Sequence, residues 1–219
     1  MPRQRAEVLR LVADAVPRPV AGEPVRVAID GVDGAGKSVF ADQIAEVLRA
    51  AGRPVIRASV DSFHRPRAER HRRGHESPIG FWLDSFDYDQ LLGALLDPLS
   101  PGGSRRYRTA VHELATDRRL DEPWHVAVAG AVLVLDGLFL HRDELFGYWD
   151  LSVFLDVPFS VTAKRMAVRD GTCPDPEHPS MRRYVHAQRI YLKSSRPAQR
   201  ASFVIDNSDW DHPVIDQTR

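Results

Sequence analysis

Residues 29–40, IDGVDGAGKSVF, put Gly31, Gly36, Lys37 and Ser38 at the spacing G-x-x-x-x-G-K-[ST]. Just upstream, VRVAID (25–30) is a short apolar run rich in β-branched residues and reads as a buried strand. Downstream, SVFADQIAEVLRAAG (38–52) repeats apolar residues at helical spacing and stops at Gly52. Strand, glycine loop and helix together are the setting in which this motif binds a polyphosphate. Gly31, Asp33, Gly34, Ala35, Gly36, Lys37, Ser38 and Val39 are the expected cradle. Its glycines let backbone N–H groups turn inward without Cβ obstruction, and the helix presents its positive end. Lys37 can reach the β- and γ-phosphates, and the Ser38 hydroxyl is placed to ligate Mg²⁺. ATP and Mg²⁺ are the expected cofactors.

The same alternation continues outward. VIRASV (55–60) is a second strand ending at Asp61, AVLVLDG (131–137) a third, DLSVFLDV (150–157) a fourth and FVIDN (203–207) the last. Residues 4–16, 159–170 and 181–195 carry helical periodicity. This order predicts a three-layer α/β fold of the P-loop NTPase kind, built on a mostly parallel five-stranded sheet in one domain over 1–219. Residues 62–125 break the rhythm with many charges, one helix at about 87–97 and a Pro/Gly hinge, PLSPGG. An insertion there lies over the carboxyl ends of the strands, where ligands bind.

Composition narrows the class. A chain of 219 residues buries roughly 70% of its unfolded surface without disulfides or a structural metal. Thirty basic residues balance thirty acidic ones, unlike a general nucleic-acid binder. The single cysteine, Cys173, fits a reducing compartment. The charged N-terminus does not read as a signal peptide, and no segment approaches the ~20 apolar residues of a membrane span. The expectation is a cytoplasmic protein acting on a small molecule, without nucleic acid or membrane; the sequence leaves room for a homo-oligomer.

Switches and motors need further parts. Neither N-K-x-D nor L-S-G-G-Q occurs, and Asp136 in AVLVLDG has no second acid after it to activate water. A kinase instead excludes water and admits a hydroxyl. Asp61 can serve as base or metal neighbour, or equally as a turn-capping aspartate. A carboxylate closing an apolar strand, as Asp136 does, fits a metal role. Lys164, Arg165 and Arg169 precede GTCPDPEHPS, and Arg182 and Arg183 follow it. Cations flanking such a loop read as a lid over about 169–183, or as a solvated helix face.

With VDSFH (60–64), Tyr107-x4-His112, LVLDGLF, AVRD and FVIDN in view, the chain resembles the uridine kinase and phosphoribulokinase branch of P-loop kinases from about residue 25 to 209. The resemblance implies phosphoryl transfer from ATP to a hydroxyl. Asp61 would be the base; Ser38 and Asp136, with Asp61 beside them, would hold the metal. Tyr107 and His112 would line the acceptor pocket, Gln188 would touch the acceptor, Arg169 would be the lid arginine, and Asn207 would pass near the adenine. His64 replaces the tyrosine such enzymes carry after D-S-F, Asp136 replaces a glutamate, and Met166 interrupts the lid arginines.

The acceptor is read from 64–112. HRPRAERHRRGH (64–75) either attracts an anionic acceptor or is a solvated loop paired with Glu69, Glu76 and Asp84. Phe81 and its aromatic neighbours either cap the acceptor or form the insertion's core. His64, Phe81, Tyr107, His112, Arg165 and Gln188 are the candidate acceptor residues. Uridine or cytidine leads; pantothenate, glycerate, a sugar or a sugar phosphate is the alternative, and a nucleotide-binding regulator without transfer is the alternative of another class.

Overall fold

The computed structural model describes residues 1–218. Helix α1 (Arg3–Ala15) leads to β1 (Val25–Gly31), α2 (Lys37–Ala50) and β2 (Val55–Ser59). Three short helices follow: α3 (Arg67–Arg70), α4 (Pro78–Asp84) and α5 (Tyr88–Leu91), the last prolonged by a π turn over Leu92–Leu96. Four two-residue strands, β3 (Arg106–Tyr107), β4 (His112–Glu113), β5 (Arg118–Arg119) and β6 (His125–Val126), close this insertion. The chain continues through β7 (Val132–Gly137), α6 (Asp143–Phe146), β8 (Leu151–Asp156) and α7 (Phe159–Asp170). It ends with α8 (Arg182–Ser195), α9 (Pro197–Arg200), β9 (Phe203–Asp206) and β10 (Val214–Thr218).

The main sheet runs β10-β9-β8-β1-β7-β2. Its five parallel strands are the expected ones, and β10 adds a sixth, antiparallel to β9. The sequence hides β10 because VIDQT carries no apolar run; as an edge strand its residues alternate between exposed and half-buried. By contrast every residue of β1 and β7 is buried, so both read as largely apolar stretches, interrupted by Arg26 in β1 and by Asp30 and Asp136 near their carboxyl ends at the site. Alternate side chains feed two cores. Val27, Ile29, Val132 and Val134 pack with α1 and α2 on one face. Ala28, Leu133 and Leu135 pack on the other with the insertion and α8. One boundary shifts from expectation. β2 ends at Ser59, and Asp61 lies in a 3₁₀ turn, Val60–Phe63, whose start is capped by the Ser59 hydroxyl accepting from the Asp61 N–H at 3.3 Å.

The carboxyl end of β1 is pinned by a buried acid. Asp30 is fully buried and accepts from the Gly31 N–H (2.7 Å), the His141 N–H (3.2 Å) and the Tyr191 hydroxyl, with His141 Nδ1 at 2.7 Å. It ties the entrance of the glycine loop to the segment after β7 and to α8. Asp30→Asn keeps the shape but mismatches these donors. It is expected to lower unfolding stability by about 1–3 kcal/mol, measured by urea denaturation.

Candidate functional site

The site gathers at the carboxyl ends of β1, β7 and β2, where the pairings Asp30↔Gly137 and Ser59↔Asp136 bring three strand ends level. Between β1 and α2 the chain turns with Gly34 at φ +75° and Gly36 at φ +92°. Both positions need glycine twice over: the backbone is left-handed, and a Cβ would fall 2.8 Å from the Thr162 carbonyl at Gly34 and 2.7 Å from the Trp210 ring at Gly36. No side chain caps the start of α2 at Gly36, so its first amides are available to an anion. Lys37 Nζ donates to the Val32 carbonyl at 2.9 Å, across the loop.

Ser38 Oγ donates to Asp136 Oδ2 at 2.6 Å, joining the two residues expected at a metal. Asp136 is 2% exposed, and its Oδ1 accepts no hydrogen bond although Arg57 Nη1 stands 2.7 Å away. A buried carboxylate oxygen without a hydrogen bond, next to a hydroxyl, is a hard donor set that fits Mg²⁺. Among the described residues no three His, Cys, Asp or Glu side chains cluster as a metal site. A cation here would therefore be completed by phosphate oxygens and water, the habit of Mg²⁺. Arg57 is a participant the sequence reading missed. It lies on the edge strand β2, also pairs with Asp42 at 2.8 Å, and looks in sequence like an ordinary outward-facing strand arginine.

Asp61 is solvent-exposed, and its carboxylate makes no hydrogen bond or ion pair among the described residues. Although its surface is open to solvent, the protein atoms crowded around the carboxylate raise its pKa above the ordinary range, chiefly by desolvation. The Asp136 charge adds to the rise, while Lys37 and Arg169 oppose it. Asp33 is raised for the same first reason, with Lys37 opposing and Asp61 adding. Asp33, Lys37, Asp61, Asp136 and Arg169 thus share one electrostatic neighbourhood. Arg169 itself forks onto Asp170 (2.7 and 2.8 Å) and is exposed.

Beyond His64 the insertion forms a cavity of about 200 Å³, lined by His64, His112, Arg108, Arg119, Asp87 and Gln90 among others, with Asp61 outside its lining. His64 is buried on Phe86, and its Nδ1–H donates to the Asp61 carbonyl at 2.8 Å. Burial pushes its imidazole down to about 4, the Asp61 carbonyl opposing. The ring is therefore neutral at pH 7, with Nε2 left as an acceptor. Unfolded, the same group titrates near the ordinary imidazole value of 6.5. Between those values the unfolded chain binds more protons than the folded one, so stability falls as pH drops from 6.5 towards 4, by up to about 3 kcal/mol. His64→Phe is expected to flatten this slope, read from melting temperatures at pH 7 and pH 5. His112 is 3% exposed, and neither ring nitrogen makes a hydrogen bond, although Asp117 Oδ1 lies 3.2 Å from Nε2.

Other candidates lie elsewhere. Tyr107 is half-buried against His125, with ring centroids 5.7 Å apart, and is absent from the cavity lining. Phe81 packs into the insertion core, edge-on to Tyr184 and Phe139. Gln188 forms a two-point contact with Asp33 of the glycine loop, accepting at 2.8 Å and donating at 2.9 Å. Arg165 donates to the carbonyls of Asn207 (2.8 Å), Ser208 (2.9 Å) and Gly34 (3.3 Å), which puts it beside the loop and away from the acceptor cavity. Asn207 is fully buried and donates to the Ala35 carbonyl at 2.7 Å. Val39 is exposed on the first turn of α2.

The basic run is largely paired internally. Arg72 and Arg73 both hold Asp84 (2.5 and 2.9 Å), Arg65 donates to the Phe86 carbonyl and Arg70 to the Arg65 carbonyl. Arg183 is buried, bonded to the His75 carbonyl and set over the Phe81 ring, so it joins α8 to the insertion.

A family model described as phosphoribulokinase / uridine kinase matches residues 27–173. No curated protein matches the chain by sequence. Among solved structures, one described as a possible uridine kinase from Bacillus stearothermophilus is 24% identical, with a TM-score of 0.71 over 92% of this chain and 97% of that one. Phosphoribulokinase from Rhodobacter spheroides is 16% identical, with a TM-score of 0.56 over 87% of this chain and 74% of that one. D-glycerate 3-kinase from Cryptococcus neoformans is 11% identical, with a TM-score of 0.56 over 98% and 96%. At these identities the likeness establishes the fold. Among the described residues no helix is long and apolar enough to cross a membrane.

Proposed function

The chain belongs to the phosphoribulokinase / uridine kinase family of P-loop kinases, and we propose that it transfers the γ-phosphoryl group of ATP to a hydroxyl of a small molecule held between Asp61 and the insertion cavity. The observation that carries this reading is the Asp61 carboxylate itself. It has no hydrogen-bond or ion-pair partner among the described residues and stands in the field of Lys37 and Asp136, while the backbone carbonyl of the same residue bonds His64 in the cavity wall.

In this reading the loop amides and Lys37 hold the polyphosphate, and Gln188 fixes Asp33 at the loop's edge. Ser38 and Asp136 would hold Mg²⁺, which would supply charge neutralisation on the phosphates. Arg57 braces Asp136 from behind. Asp61 accepts the proton of the acceptor hydroxyl as the new O–P bond forms and the bond to the leaving ADP oxygen breaks. Arg169, released from Asp170, offsets the charge developing on the transferring group.

For the acceptor we favour a pyrimidine nucleoside, uridine or cytidine, on the strength of VDSFH with Tyr107-x4-His112. The hydrogen bonds His112 lacks are what a base's polar edge would supply. A second reading has its own support: Arg108 and Arg119 line the same cavity, which suits a sugar phosphate or hydroxy acid. A coupled ADP-release assay over nucleosides, sugars, sugar phosphates, glycerate and pantothenate separates them. Turnover with uridine or cytidine is expected; silence with nucleosides and turnover with an anionic acceptor would reverse the choice.

A further inference from the structure

Residues outside the stretch matched by the family model converge on the glycine loop. Arg5, on α1, is 1% exposed, a costly place for a guanidinium unless its donors are well used. Nε donates to Gln43 on α2 at 2.9 Å, and Nη1 donates to Asn207 Oδ1 at 3.0 Å and to the Trp210 carbonyl at 2.9 Å, while the buried Nη2 makes no hydrogen bond. The guanidinium carbon also stands 4.3 Å from the centre of the Trp210 ring. Asn207 relays this grip into the loop through its bond to the Ala35 carbonyl. Arg165 holds the same segment through the carbonyls of Asn207 and Ser208 and lies 5.9 Å from the indole centre.

The indole so fixed rests on Gly36, one residue before the helix start that receives the phosphates, yet remains 37% exposed. Burying an arginine to anchor a partly exposed tryptophan adds little to the core. It does create a rigid, electron-rich surface at the rim of the loop. The ring lies beside Gly36, within reach of the base of a nucleotide whose phosphates fill that loop, and stacking on an aromatic face suits a flat heterocycle.

We propose that Arg5 clamps Trp210 and Asn207 onto the phosphate loop, and that the indole held there is the platform on which the purine base of the donor nucleotide stacks. Trp210 touches the ligand and Arg5 is a positioning residue. The inference rests on the nucleotide-binding reading of the loop and extends it to the donor's other end.

The test compares the Mg²⁺ complexes of ADP and of inorganic tripolyphosphate, titrated calorimetrically into the full chain. Trp210→Ala is expected to weaken ADP roughly 10-fold and leave tripolyphosphate unchanged within about twofold. Trp210→Phe keeps most ADP affinity but abolishes the ADP-induced change in indole fluorescence. Arg5→Ala reproduces the loss seen with Trp210→Ala and diminishes the fluorescence change; Arg5→Lys recovers part of both. Wild-type ADP affinity in Trp210→Ala, or an equal loss for both ligands, would overturn the proposal. A wild-type chain that binds neither ligand would refute the nucleotide-binding reading and the platform with it.

Discussion

Asp61→Asn is expected to lower kcat by roughly 10²–10⁴-fold while ATP affinity stays within a few-fold of wild type. The substitution preserves shape and removes only the capacity to take a proton. Because the Asp61 carboxylate holds no partner among the described residues, and the turn is capped through its backbone N–H, folding should not suffer. The pH profile is a second readout. Desolvation raises the Asp61 pKa, and the base works only when ionised. The wild-type rate therefore falls as pH drops through that raised pKa, and the residual rate of Asp61→Asn should lack this acid limb. Loss of ATP binding in the variant would instead make Asp61 structural. Unchanged turnover would favour a nucleotide-binding regulator.

Lys37→Ala should lower kcat/KM for ATP by on the order of 10³-fold, measured under saturating acceptor. Its ammonium lies on the Val32 carbonyl, within the loop, close enough for its charge to oppose the desolvation that raises the carboxyl pKa values of Asp33 and Asp61. Truncation removes the cation that neutralises the β- and γ-phosphates and also lets those two acids repel the donor. Binding and transfer fall together, which separates this variant from Asp61→Asn. The melting temperature should change little, since one partly exposed hydrogen bond is lost.

What the sequence exposed follows from how its information is distributed. The glycine loop and the five parallel strands are local patterns: G-x-x-x-x-G-K-S fixes a turn, and strands covered on both faces read as apolar runs. The helix expected near 87–97 appears as α5 with its π turn for the same reason. What escaped was pairing. Gln188 and Asp33 lie 155 positions apart, and nothing in the periodicity of α8 says that this glutamine reaches the glycine loop. Arg165 was assigned to the acceptor because it belongs to a cluster of cations, yet its position on α7 turns it onto the carbonyls of Asn207 and Ser208. For Arg72 and Arg73 the sequence leaves an anionic acceptor and pairing with Glu69, Glu76 or Asp84 both open, and the fold places the two arginines on Asp84. Buried polar groups take whatever partner the tertiary structure brings, so their roles are the last to be legible.

The most direct measurement is ³¹P NMR of the wild-type chain turning over ATP and Mg²⁺ with the acceptor found by the coupled assay. If Asp61 delivers an organic hydroxyl to the terminal phosphorus, a new phosphomonoester signal grows in step with ADP, and inorganic phosphate stays at background. ADP accompanied only by inorganic phosphate would mean that water is the acceptor, and would contradict the account.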